Sequence, residues 1–244
     1  MIAGILSQSS QATAHDFTWD NLALASIKLD KNYDVDANVE WYMENYREAT
    51  WNLARNDEFS MHEKKEETRK IFQNRIDQFD VERTFTLRAN MEIGDYDFSN
   101  QEFPRDHNGP DSYWYKSSSK YSDSIPSTLK LFMKNYDFLH GVPMEPAAAR
   151  AFIQSRKNRT GYVDRSVYAI VEFRIVKLKE EGELLAEALK VTYYRDSARR
   201  QPLGPTLVWE PKSASSNDQS APSTSETTDR NVEGNADLSV VGSR

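Results

Sequence analysis

Asp106, His107 and Asp111 stand close together in the loop Arg105-Asp106-His107-Asn108-Gly109-Pro110-Asp111, where they could pass protons or hold a cation. An imidazole titrates at about 6.5 when unperturbed, so beside carboxylates it suits acid–base work near neutrality. Against this, Asn108-Gly109-Pro110 is ordinary turn chemistry, and the nearest other histidine in sequence, His140, lies beyond a separate predicted strand. The loop is therefore read as exposed. The other histidines, His15 and His62, are too scattered for a multi-histidine metal centre. Asp30, Asn32, Asp34, Asp36, Asn38 and Glu40 place an oxygen at every second residue, as a calcium loop does. An EF-hand also needs glycine at its sixth position and a bidentate glutamate at its twelfth. Counted from Asp30, those places hold Val35 and Trp41, and Asp95, Asp97 and Asn100 fail the spacing similarly. Helix capping and solvation account for these acids, and no metal or cofactor is expected.

Ser117-Ser118-Ser119-Lys120, Ser122-Asp123-Ser124 and Arg159-Thr160-Gly161 resemble, in order, the three motifs of serine penicillin-binding enzymes, in which a lysine activates a serine nucleophile. The context differs. That family's serine opens a buried helix and a long insertion precedes its second motif, whereas here the second motif follows almost at once. Arg159 replaces the lysine of the third motif and precedes a strand. The segment is read as a Ser- and Tyr-rich loop, and no phosphate-binding glycine loop or nucleophile elbow is found. The catalytic residues, if any, are unknown from sequence.

Binding chemistry has two candidate locations. Tyr113, Trp114 and Tyr115 offer large rigid faces at small entropic cost, so this loop is the preferred recognition surface. Arg156, Lys157 and Arg159, with Arg150 and Arg165, form a local basic run opposed only by Asp164. Residues 1–149 carry 16 Lys and Arg against 25 Asp and Glu, residues 150–212 carry 13 against 8, and the remainder 2 against 5. The total of −7 argues against general nucleic-acid binding, which depends on cations displacing counterions. Asn158-Arg159-Thr160 is a glycosylation sequon only on a eukaryotic secretory route.

These residues must be positioned by an α+β domain over residues 16–212. From Asp36 to Arg55, Val39, Tyr42, Met43, Tyr46, Ala49 and Leu53 recur on one helical face. A second helix is predicted from Glu58 to Asp80, packing through Ile71, Phe72, Ile76 and Phe79, so that the two form an antiparallel hairpin hinged at Asn56 and Asp57. Strands are predicted over Arg83–Ile93, Thr128–Met133, Ser166–Lys179 and Leu185–Tyr194, the last two as a hairpin, giving a mainly antiparallel sheet. A short helix, Pro146–Gln154, presents Ala147, Ala148, Ala151 and Phe152. Residues 213–244 contain no aromatic residue and read as a disordered tail.

The absence of cysteine excludes disulfides and thiolate chemistry. No apolar stretch reaches the roughly 18 residues that span a bilayer. Gln11-Ala12-Thr13-Ala14-His15 behind the apolar run Ile2–Leu6 has the small-residue spacing of a signal-peptidase site, so residues 1–15 read as a remnant of a signal peptide with its basic region missing. Export to the periplasm or medium is expected, and a cytoplasmic chain is the alternative.

Thr86-Leu87-Arg88, Tyr96-Asp97-Phe98 and Pro104 are echoed by Thr128-Leu129-Lys130, Tyr136-Asp137-Phe138 and Pro143. That arrangement, with Phe103-Pro104 and an Ala-rich segment containing Phe152 before long strands, resembles a group of uncharacterised, usually exported bacterial proteins over residues 80–195. The resemblance implies no activity and no site residues. The expected role is a non-catalytic binding or adaptor protein for another protein or an envelope component, of unknown oligomeric state. The alternatives are a hydrolase built from Asp, Glu or His groups remote in sequence, and a cytosolic interaction module.

Overall fold

The computed structural model describes residues 14–105 and 109–211. In chain order it contains β1 (His15–Asp16), α1 (Trp19–Leu29), α2 (Val39–Tyr46), α3 (Glu48–Ala54), α4 (Glu58–Gln78), β2 (Phe85–Glu92), β3 (Glu102–Pro104), β4 (Tyr113–Ser117), β5 (Thr128–Met133), β6 (Gly141–Pro143), α5 (Pro146–Arg156), β7 (Ser166–Glu180), β8 (Glu183–Tyr194) and β9 (Leu207–Val208). The fold is α+β. The main sheet runs β1-β2-β7-β8-β5-β4, with β9 also on β8, and is antiparallel except where β1 meets β2 and β5 meets β8. β3 and β6 form a separate antiparallel pair.

The centre of the sheet follows from period-two patterning. Val167, Ala169, Val171, Phe173 and Ile175 of β7 are all buried, facing the helices, and their partners Met91, Ala89, Leu87 and Phe85 on β2 are buried too. A chain with one face in the core and one in solvent alternates this way, because successive side chains point to opposite faces. Gly182, at φ +73°, closes the β7–β8 hairpin with a backbone shape that side-chain-bearing residues avoid.

The helical layer departs from expectation in three ways. The predicted helix Asp36–Arg55 is a 3-10 turn followed by two helices, broken at Arg47, whose φ of −135° and ψ of 44° leave helical space. The break lets the Arg47 guanidinium donate to Thr68 Oγ1 at 2.6 Å and Glu67 Oε1 at 2.5 Å on α4. It also turns Leu53 away from the core, to 85% exposure, and Ile71 of α4 is exposed as well. Thirdly, α1 occupies a stretch for which no element was predicted. Thr18 caps its N-terminus, and Leu22, Ala23, Leu24, Ala25 and Ile27 are buried between the sheet and α4.

Tyr113–Ser117, expected as a loop, is the edge strand β4 paired with β5. In α5 the buried residues are Ala149 and Phe152, while Ala147, Ala148 and Ala151 face outward, the reverse of the expected alanine face. The signal-peptide remnant up to Thr13 and the tail beyond Lys212 lie outside the described residues, as do Asp106 and His107.

Candidate binding groove

The echoed segments meet. β3 ends the first unit and β6 the second, and they pair through Phe103 and Val142. Just before β3, the Asp97 carboxylate accepts the backbone N–H groups of Ser99 at 2.7 Å and Asn100 at 3.2 Å, and the Asn100 side-chain amide at 2.8 Å. The Asn100 and Ser99 amides hold Asp97 below the usual carboxylate range. Gln101, at φ +53°, completes the turn. The Tyr96 hydroxyl donates to the Met144 carbonyl at 2.6 Å, and its ring meets Phe103 edge-on at 5.0 Å and Phe98 at 4.9 Å. The Asp97 bonds hold the turn together, and the Tyr96 bond to Met144, with the Met144 N–H donating to the Gln101 carbonyl at 2.9 Å, holds it against the start of α5. Pro146 pre-sets the first turn of that helix, and Phe152 anchors it on Phe103 with ring centroids 5.8 Å apart.

Between turn and helix lies an open groove of about 560 Å³, in which Tyr96, Phe98, Phe103, Ala149 and Ile153 supply apolar surface and Arg150 the charge. Phe98 is 77% exposed although its turn is rigidly held. No described residue pairs with the Arg150 guanidinium by hydrogen bond or ion pair. A second groove, also about 560 Å³, runs along the other side of α5 between Gln101, Met144, Ala148, Arg195 and Leu203, with Glu145 as its carboxylate. The volumes fall within the range of ligand sites, and apolar walls with few polar groups are typical of them.

A polar cluster lies on the β3–β6 pair. His140 Nδ1 is 2.9 Å from Glu102 Oε1, and the Arg105 backbone N–H donates to the His140 carbonyl at 2.6 Å. A Cβ on Gly141 would come within 2.7 Å of the Glu102 carboxyl, so glycine makes room for it. Burial pushes the Tyr193 hydroxyl up to about 12, Arg105 pulling the other way and Glu102 adding to the rise. Burial likewise lowers Arg105, whose guanidinium lies 4.8 Å from the centre of the Trp114 ring. The topology thus brings His140 beside Arg105, which sequence distance had hidden. Glu102 and His140 line neither groove.

The six candidate residues from sequence fall in two places, β4 and the end of α5 with the turn after it, and none of them lines either groove. Tyr113 and Tyr115 lie exposed on the outer face of β4, and Trp114 points to the other side, half-buried under Arg105. Arg156 is built into the fold: it donates to Asp164 at 2.8 Å and to the Arg195 carbonyl, and its ring neighbour is Phe152. Lys157 and Arg159 are exposed on the turn that Asn158 organises by accepting from Thr160 and Tyr162. Lys120 lies 3.4 Å from Asp20, and Ser122 and Ser124 bond Asn38, so the serine motifs stitch a loop to the helical layer. Asp36 and Glu40 pair with Arg69 and Lys65. Among the described residues no group of three His, Asp or Glu side chains could hold a metal, and no helix is long and apolar enough to cross a membrane.

A family model described as "Domain of unknown function (DUF4852)" matches residues 34–155. The chain belongs to this family. No curated protein and no solved structure matches it. The DUF4852 match begins ahead of α2 and ends within α5, so it takes in the Tyr96–Gln154 groove and leaves out the β7–β8 hairpin. Tyr96 and Phe98 were visible in sequence only as members of the echo. Arg150 stood out only as one cation among several.

Proposed function

We propose that this protein is an exported envelope protein that acts by binding, holding an apolar, acid-bearing segment of a protein partner in the groove along α5. The observation that carries this reading is Phe98, 77% exposed on a turn pinned by the Tyr96–Met144 hydrogen bond. A large aromatic held rigidly in water opposite Ile153 is preorganised contact area, because little side-chain entropy is lost when a partner covers it. Arg150 supplies the charge that selects an acidic group. Export is supported by the small-residue spacing of Ala12 and Ala14: a cut after Ala14 leaves intact the bond from the Phe17 N–H to the Thr86 carbonyl at 3.1 Å and makes His15 N an α-amino group still able to donate to the Thr84 carbonyl.

The test is photo-crosslinking from position 98 in native cells. A discrete adduct that disappears in the Ala147→Trp variant, whose indole fills the groove, is the expected result. No adduct under any growth condition, or one indifferent to Ala147→Trp, would overturn the assignment.

A further inference from the structure

Leu53 and Phe59 flank the corner between α3 and α4 and are 85% and 80% exposed. Two large apolar side chains so fully in water, at the ends of adjoining helices, form a knob that no other described residue covers. Its surroundings are acidic: Glu48 to Glu63 contain four carboxylates and one arginine. The α5 groove is the opposite in both shape and charge. It is concave and apolar, and Arg150 is the one charged residue among those that line it.

We propose that the protein associates head to tail, the Leu53–Phe59 corner of one copy entering the α5 groove of a second with Glu58 and its acidic neighbours facing Arg150. This rests on the groove being a binding site and names its occupant as a second copy of the chain. Neither α3 nor α4 packs on α5 within one copy, so the two surfaces are brought together by a second copy. The contact is heterologous: knob and groove are different surfaces, so a bound pair still presents one free knob and one free groove, and growth continues unless the geometry closes a ring. Two exposed side chains and one groove fall short of the roughly 1,200 Å² of a stable interface, so the association is weak and appears at high concentration and low salt.

Sedimentation velocity of the full chain across a concentration series, at low and high salt, tests this. Sedimentation coefficients should rise with concentration at low salt and fall back as salt is added. Phe59→Asp and Arg150→Glu should each weaken self-association by about tenfold or more; both positions are exposed, and unchanged circular dichroism checks that each variant folds. Mixing the two variants distinguishes the arrangement, since the intact knob of Arg150→Glu fits the intact groove of Phe59→Asp. The mixture should form a 1:1 dimer that grows no further. A strictly monomeric wild-type chain, or a mixture with no dimer, overturns head-to-tail pairing. If it is overturned while the position-98 adduct still depends on Ala147, the groove reading survives and its occupant is a different protein.

Discussion

Glu187 has only 8% of its side chain exposed on the outer side of the sheet, yet it is charged. Burial alone would push its carboxyl up, but the Arg174 guanidinium at 2.6 Å and the Lys134 ammonium at 3.5 Å outweigh it and hold the group below its ordinary range. A folded-state pKa below the unfolded one means that the carboxylate's contribution is complete at neutral pH and is lost as pH falls through the folded value. Glu187→Gln should therefore cost about 1–2 kcal/mol at neutral pH and little in strong acid, so chemical denaturation of the variant and parent should converge between neutrality and acid pH. Equal differences at both ends would show that the charge contributes nothing. At this scale the sequence reveals residue type but not allegiance. Arg156 and Arg150 look equivalent six positions apart, and only the fold commits Arg156 to Asp164 and leaves Arg150 in the groove.

Among the elements, β7 was legible because one buried face forces strict alternation from Ser166 to Ile175, and β8 followed as its hairpin partner although Ala186, Glu187 and Ala188 are buried in succession. α1 was not legible: Leu22, Ala23, Leu24 and Ala25 are buried in succession, and a helix wrapped on several sides loses the periodic stripe by which helices are recognised. The α2–α3 break was hidden for another reason, since the periodic residues run straight through it. What accompanies the break is a tertiary bond from Arg47 to α4. Arg47→Ala removes the donor to Thr68, which is fully buried, and should destabilise the domain by about 2 kcal/mol. Hydrogen exchange should quicken in α3 and mid-α4 and stay unchanged in β7. Uniform protection across the helical layer would mean that the break is intrinsic to the chain.

For the whole molecule the export reading has a direct check. Intact mass of the protein from fractionated native cells, with the upstream gene sequence kept, should give a chain beginning at His15 in the periplasmic or secreted fraction. A cytosolic chain retaining Met1 would sink that reading and leave the groove to be tested in the cytoplasm. The sequence by itself determined the α+β class, the helical hairpin, the central β-hairpin and the membership of an uncharacterised family, because these rest on local periodicity and short motifs that each segment carries alone. The groove, the knob at Leu53 and Phe59, and the meeting of Glu102 with His140 were decided by tertiary structure. Each depends on which face of one segment meets a segment about twenty to fifty residues away, and that choice belongs to the packing of the whole core.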